Sequence, residues 1–161
     1  MLIAAFALGI AGLTFFFDGV LERQQNPNAN PASSLDETGT REVRLQRNRQ
    51  GHYVSSGLIN GHPVTFLLDT GATVVSIPAA TANQIGLVRG REGIAMTANG
   101  AARVYGTTLD SLQIGNIQLR DVNASIMEQM PEGPVLLGMS ALGEIDFRQQ
   151  GSELTLRLAR Q

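Results

Sequence analysis

The sequence has 161 residues, enough for one domain with an appended segment, and it contains no Cys, Trp or Lys. Without Cys there is no disulfide framework, thiolate zinc site or cysteine nucleophile, and without Lys there is no Schiff base or Walker-type phosphate loop. Only two histidines are present, which excludes a three-histidine zinc site within one chain. The net charge of −2 argues against nucleic acid as the main partner, because phosphate binding favours a basic excess.

The first predicted element is an apolar segment over residues 1–21. Residues 2–17 carry no charge, and Asp18 closes the run. A secretory signal peptide is one interpretation, but no basic residue precedes the run and the residues after it make a poor cleavage site. A buried core helix is another, which the polar residues that follow weaken. We favour a transmembrane anchor of about 24 Å, whose orientation the nearby Arg23 alone does not determine.

Residues 22–40 are predicted to form a flexible linker between this anchor and a folded domain. Gln, Asn, Pro, Ser and Gly dominate the stretch, and almost none of its side chains can contribute to a core. A linker of this composition would hold the domain tens of ångströms from a membrane.

The remaining residues, 41–161, are predicted to form one β domain. Short alternating apolar runs recur along them, and pairs such as Asn60–Gly61 and Gly115–Asn116 are typical of tight hairpin turns. Helical patterns are sparse, with a short helix predicted over 79–85 and a single turn over 139–142. These features predict an all-β fold, a small closed or half-closed barrel with one or two short helices.

The clearest chemical motif is Asp69–Thr70–Gly71, which lies between two apolar runs. A plain turn is one interpretation, although a solvated turn does not need apolar residues on both sides. Gly71 permits close backbone approach to the carboxylate, and Thr70 supplies a hydroxyl that can tie the loop to a neighbour. Acid–base hydrolysis of an amide by carboxylates uses two Asp that share a proton. Since the chain has one such motif, the second carboxylate would come from Asp69 of another copy.

Residues 49–158 resemble the retropepsin-like aspartic proteases (clan AA), in particular the bacterial branch with an N-terminal membrane helix and a periplasmic domain. The resemblance implies a small closed β-barrel of the retropepsin-like acid protease type, preceded by an N-terminal membrane helix. It also implies a homodimer, a single-pass location in the bacterial inner membrane and a periplasmic catalytic domain. No metal or cofactor and no nucleic-acid partner is implied.

The same resemblance assigns roles to three segments. The Asp69 loop resembles the family's catalytic loop, and Val135–Leu136–Leu137–Gly138 resembles the signature that supports this loop. The segment Thr97–Ala98–Asn99–Gly100 has the position of the flap hairpin that closes over substrate. The implied site residues are Asp69 as the catalytic acid and base; Thr70, Gly71, Ala72, Leu137 and Gly138 as loop support; and Thr97, Ala98, Asn99 and Gly100 as flap and substrate-binding residues. The loop over residues 128–134 is predicted to be a plain connector.

The sequence leaves three functions open. The first is a membrane-anchored aspartic endopeptidase that acts on extended peptides or proteins. The alternative is a non-catalytic peptide-binding or dimerisation module on the same fold, which the intact Asp69 motif disfavours because a pure binder does not need a buried acid. A third is a serine hydrolase that uses Ser140, but the sequence around it lacks one Gly of the nucleophile-elbow motif.

Overall fold

The computed structural model describes residues 24–97 and 100–159. The strands are β1 Ala32–Leu35, β2 Arg41–Gln46, β3 Val54–Ile59, β4 His62–Leu68, β5 Val75–Pro78, β6 Glu92–Thr97, β7 Gly100–Ile114, β8 Ile117–Met127, β9 Val135–Leu137, β10 Asp146–Gln150 and β11 Glu153–Leu158. The short helices are α1 Ala79–Gln84 and α2 Met139–Leu142. The predicted anchor over residues 1–21 lies outside the described residues. Within the described ranges, every helix is too short or too polar to cross a membrane.

Two sheets make up the fold. The larger has the strand order β3-β4-β9-β5-β8-β7-β6, and β3 pairs with β7 as well. That extra pairing closes six strands into a barrel and leaves β6 as an arm that extends from β7. The smaller sheet has the order β1-β2-β11-β10. The prediction of an all-β fold with a closed barrel and two short helices is confirmed.

The barrel core is filled by apolar side chains that alternate along the strands. The largest fully buried ones include Phe66, Ile77, Leu109, Ile126 and Leu137. Burying a side chain of this size stabilises the fold by about 1.5–3 kcal/mol. Because each strand contributes inward-facing residues at alternate positions, the core also sets which residues point out of the barrel.

The predicted hairpin turn at Asn60–Gly61 is present between β3 and β4. Both residues have positive φ, 50° and 79°, which is the backbone that a two-residue primed turn requires. The helix predicted over 79–85 is found over Ala79–Gln84, and Gly86 with φ of 70° ends it in a left-handed conformation.

Residues 24–40 differ from the predicted linker, because part of the segment pairs and packs with the domain. Asn28 is only 3% exposed. Its side-chain amide donates to the carbonyl oxygens of Gln46 at 2.9 Å and Val54 at 2.7 Å, and its Oδ1 accepts from the Gln46 amide at 2.7 Å. Since Gln46 ends β2 and Val54 begins β3, one side chain joins the two sheets.

The strand β1 is the second ordered part of this segment. It pairs antiparallel with β2, with Ser33 opposite Val43, although all four of its side chains are exposed. The Asp36 carboxylate then accepts hydrogen bonds from the Thr38 and Thr40 amides at 2.9 and 2.8 Å, which closes the turn into β2. A polar segment can therefore be held by hydrogen bonds alone, which an analysis of apolar patterns does not detect.

Candidate active site

Asp69 follows directly after β4 and begins a tight loop. Its amide donates to the Leu137 carbonyl oxygen at 3.1 Å, and its own carbonyl accepts from the Ala72 amide at 3.2 Å. The Gly71 amide donates to Asp69 Oδ1 at 2.9 Å, so the loop backbone orients the carboxylate. A Cβ at Gly71 would lie 3.1 Å from that oxygen, and the absence of a side chain there permits this close approach.

The end of β9 and the chain that follows it support the Asp69 loop. Leu137 pairs with Leu68 in parallel β9 and β4, which holds the strand end that carries Asp69. Beyond Gly138, the Met139 amide donates to the Ala72 carbonyl oxygen at 2.8 Å. A Cβ at Gly138 would meet the Ala72 carbonyl oxygen at 2.7 Å, so only glycine allows the two segments this separation. The structure thus brings Leu137, Gly138 and the Asp69 loop together.

Ser140 belongs to this support. Its hydroxyl accepts a hydrogen bond from the Val75 amide at 3.0 Å and donates to the Asn123 carbonyl oxygen at 2.6 Å. It therefore ties α2 to β5 and to β8. The sequence offers Ser140 as a candidate nucleophile, but its contacts are those of a structural residue that keeps α2 against the loop.

The Asp69 carboxylate faces a cleft of about 580 Å³. One wall is the loop, with Gly71 and Ala72, and the opposite wall is the β6–β7 hairpin. The described hairpin residues that line the cleft are Ala95, Met96, Thr97, Gly100, Ala101 and Ala102. The predicted flap residues Thr97 and Gly100 are thus in the cleft wall, while Ala98 and Asn99 lie outside the described residues.

The end of this hairpin is held by its own side chains and backbone. Thr97 pairs with Gly100 in the strand register, and Thr97 Oγ1 donates to the Gly100 carbonyl oxygen at 2.8 Å. Met96 is 81% exposed although it lines the cleft, so part of its surface remains open. The hairpin is therefore positioned to cover a ligand that lies over Asp69.

The loop after β8 also contributes to the cleft. Gln129, Met130 and Pro131 line it, in contrast to the prediction that residues 128–134 are a plain connector. The sequence did carry a signal, since Met130–Pro131 is an apolar pair in an otherwise polar loop. Only the folded barrel shows that β8 ends beside the Asp69 loop, which brings this pair to the cleft.

The outer side of the Asp69 loop is open to solvent. Thr70, Gly71 and Thr73 are exposed, while Asp69 and Ala72 are half-buried. The Thr70 side chain, whose hydroxyl is predicted to tie the loop to a neighbour, lies at this open side. Among residues 24–97 and 100–159, no group of His, Asp or Glu side chains is arranged to hold a metal ion.

A larger, open groove of about 1130 Å³ lies elsewhere on the molecule. It runs between residues 25–29, the β3–β4 hairpin and residues 132–135. Its lining includes several side-chain amides, such as Gln25, Asn26 and Asn48, and it does not include Asp69. Of these two, the smaller cleft is the candidate active site, because its described residues combine a carboxylate with an apolar wall and a covering hairpin.

Comparison with known proteins finds similarity to aspartic proteases in sequence and in fold. Residues 55–144 match a family model described as "gag-polyprotein putative aspartyl protease". The chain is similar to a retropepsin-like aspartic protease from Rickettsia conorii, with a TM-score of 0.63 and 26% identity over 81% of this chain and 96% of that one. The EIAV protease, solved with the inhibitor HBY-793, shares the fold at a TM-score of 0.51 and 22% identity, over 62% of this chain and 92% of that one.

A curated relative is the Sinorhizobium sp. protein named "Uncharacterized protein in cobV 5'region". It is 32% identical over 126 residues, which cover 76% of this chain and 54% of that protein. The chain thus spans about half the length of the curated relative that it matches.

Proposed function

The chain belongs to the gag-polyprotein aspartyl protease family and has the retropepsin-like fold, and on this premise we propose that it is an aspartic endopeptidase whose active unit is a homodimer. One observation supports both parts of the proposal. Asp69 is the one acidic residue among the described residues that line the cleft. Peptide hydrolysis by carboxylates needs one acid and one base, so a single cleft provides half of the machinery.

In the proposed mechanism, Asp69 carboxylates from two copies share one proton and hold a water molecule between them. The unprotonated Asp69 takes a proton from the water as its oxygen attacks the scissile carbonyl carbon. The protonated Asp69 gives its proton to the carbonyl oxygen, which forms a tetrahedral intermediate. The intermediate then collapses as its C–N bond breaks: the Asp69 that took the proton of the water gives it to the amide nitrogen. The other Asp69 takes the proton of one hydroxyl group as the new carboxyl group forms, which restores the shared proton. The Gly71 amide holds each carboxylate in orientation throughout.

The walls of the cleft indicate the class of substrate. Its lining is mostly apolar, with Ala95, Ala101, Met127, Met130 and Leu136 among the contributing side chains. A peptide that adds an extended strand between the hairpin and the Asp69 loop would place alternate side chains against this lining. We therefore expect cleavage next to apolar residues, in extended peptides or unfolded protein segments.

The proposed activity is tested with the full chain and a peptide library. Wild type and Ser140→Ala are expected to cleave, while Asp69→Asn reduces cleavage to background, because Asn cannot act as the base. Co-expression of wild type and Asp69→Asn at equal levels adds a test of the shared site. If the copies pair at random, a quarter of the dimers contain two Asp69 residues, so a quarter of the cleavage activity is expected. If each chain had an independent site, half of the activity would remain.

Three outcomes contradict the proposal. Cleavage that survives Asp69→Asn would exclude the aspartic mechanism, and loss of cleavage in Ser140→Ala with unchanged thermal stability would favour the serine mechanism instead. If wild type binds peptides but never cleaves them, the non-catalytic module becomes the function.

A further inference from the structure

Two walls of the cleft, the β6–β7 hairpin and the loop after β8, separate at one point of the fold. The part of β7 from Val104 onward pairs with β8, while its first residues, 100–105, pair with β6. Val104 lies opposite Met127, the last residue of β8. Beyond this pair the hairpin continues without β8, and the chain leaves β8 to form the loop that contributes Gln129, Met130 and Pro131 to the cleft.

Arg89 contacts both walls at this point. It lies between α1 and β6, and its guanidinium carbon is 5.3 Å from the centre of the Tyr105 ring, at the base of the hairpin. Its Nη1 lies 2.7 Å from Oε1 of Glu128, the first residue after β8. A planar guanidinium can stack on an aromatic ring and bind a carboxylate at the same time. One side chain thus connects the hairpin to the loop.

The backbone on either side of Arg89 is attached to β7. Thr107 Oγ1 donates to the Val88 carbonyl oxygen at 2.9 Å, and the Gly90 amide donates to the Gly106 carbonyl oxygen at 2.8 Å. A Cβ at Gly90 would lie 2.6 Å from that oxygen, so the close approach of the two segments requires glycine. Because the backbone of Arg89 is fixed to β7, its ion pair with Glu128 determines how far the loop lies from the hairpin.

We propose that Arg89 is a positioning residue, which holds the hairpin and the loop over residues 128–131 at the separation that an apolar peptide needs. The proposal rests on the proposed function, since it concerns how the same cleft binds its substrate. Arg89 is not among the described residues that line the cleft, and the Asp69 loop is held by other contacts, from β9 and α2. Loss of Arg89 should therefore weaken peptide binding without changing the chemical step.

The chain offers a matched ion pair as a control. Arg103 Nε lies 3.3 Å from Glu92 Oε1, and both residues belong to the hairpin. This pair joins β6 to β7 but does not reach the loop. Both ion pairs are partly exposed to solvent, so neither is expected to contribute much to global stability. The two pairs differ in whether they connect the two walls of the cleft.

Steady-state kinetics test the role of Arg89. The assay uses the full chain in a mild detergent and the peptide of the library that wild type cleaves best. Arg89→Gln and Glu128→Ala are each expected to raise KM by about three- to tenfold and to leave kcat within about twofold. The double variant should have the KM of Arg89→Gln alone, because both substitutions remove the same contact. Arg103→Gln and Glu92→Ala should leave KM unchanged.

Three kinetic results would overturn the proposal. The first is a fall in kcat with unchanged KM in Arg89→Gln. The second is a double variant whose KM rises by the product of the two single effects, which would mean that Arg89 and Glu128 act independently. The third is a rise in KM in Arg103→Gln as large as that in Arg89→Gln.

Hydrogen exchange of backbone amides separates this inference from the proposed function, because it needs no substrate. Arg89→Gln is expected to speed exchange at residues 128–130, while Arg103→Gln leaves it unchanged there. If wild type does not cleave but exchange responds in this way, the contact remains and the catalytic proposal is wrong. If wild type cleaves and Asp69→Asn does not, but Arg89→Gln leaves KM or this exchange unchanged, the protease remains and the role of Arg89 is wrong.

Discussion

Gly138 lies where the chain between β9 and α2 packs against the Asp69 loop. It is buried, and an added Cβ would meet the carbonyl oxygens of Ala72 and Val74. The two neighbours are backbone atoms of the loop itself, so they cannot move aside as a flexible side chain would. The position of Asp69 thus depends on the absence of a side chain at Gly138.

We expect Gly138→Ala to lower both stability and cleavage. The added methyl group overpacks the contact with the loop, which costs about 1–3 kcal/mol and displaces the loop that holds Asp69. Urea denaturation and the peptide assay measure the two effects. Gly133→Ala is the matched control, since a Cβ there has nothing within 4 Å. Equal behaviour of the two variants would contradict the supporting role of Gly138.

At the scale of elements, the smaller sheet depends on a carboxylate that is nearly enclosed. Glu42 is 8% exposed, and its two oxygens accept from Arg157 Nε and Arg44 Nε, each at 2.8 Å. The hydrogen bonds from Arg157 and Arg44 hold the pKa of Glu42 below its ordinary value of 4.5. Glu42 thereby makes one charged contact within β2, to Arg44, and another to β11, through Arg157.

We expect this contact to make stability depend on acid pH. Because the folded-state pKa is lowered, the contribution of Glu42 is complete above about pH 4.5, its unfolded-state value, and is lost as the pH falls through the folded-state value. Glu42→Gln should therefore lower the free energy of unfolding by about 1 kcal/mol at pH 7. The value is small because solvent screens the charges of both arginines. The loss becomes progressively smaller as the pH falls below 4.5.

Urea denaturation of wild type and Glu42→Gln at several pH values measures the difference. Glu132→Gln, in the exposed loop before β9, is the control for removing one acidic residue. If wild type and Glu42→Gln differ in free energy of unfolding by the same amount at every pH, Glu42 is not the source of the pH dependence.

At the scale of the whole molecule, Asn28 and the residues just before it hold the N-terminal segment against the domain. The hydrogen bonds of Asn28 to Gln46 and Val54 hold the segment at the junction of the two sheets. Asn28 is only seven positions after residue 21, a span of at most about 25 Å. An anchor over residues 1–21 would therefore hold the domain close to the membrane surface.

We propose that residues 1–21 anchor the chain in a bacterial inner membrane with the domain in the periplasm. The uncharged run over residues 2–17 supports this, because its transfer into lipid is favourable. The full chain is expected in the membrane fraction after a high-salt wash, and added protease should digest the domain only after the outer membrane is permeabilised. Deleting residues 1–21 should release the domain. Recovery of the full chain in the soluble fraction would contradict the anchor.

The sequence determined the fold class and the position of the Asp69–Thr70–Gly71 motif. Alternating apolar residues predicted the strands, since the period of two is a local property, and Asp69–Thr70–Gly71 is contiguous in the chain. The turn at Asn60–Gly61 was predictable for the same reason, because its left-handed backbone depends on those two residues alone.

Only the tertiary structure decided which distant residues meet. The support by Gly138, the hydroxyl contacts of Ser140 and the cleft wall at Met130 all join segments that are far apart in sequence. The attachment of Asn28 has the same origin, since a polar segment is ordered there by hydrogen-bond partners that become available only when β2 and β3 are in place. Local patterns report the conformation of each strand, whereas contacts between strands depend on the barrel that all of them form together.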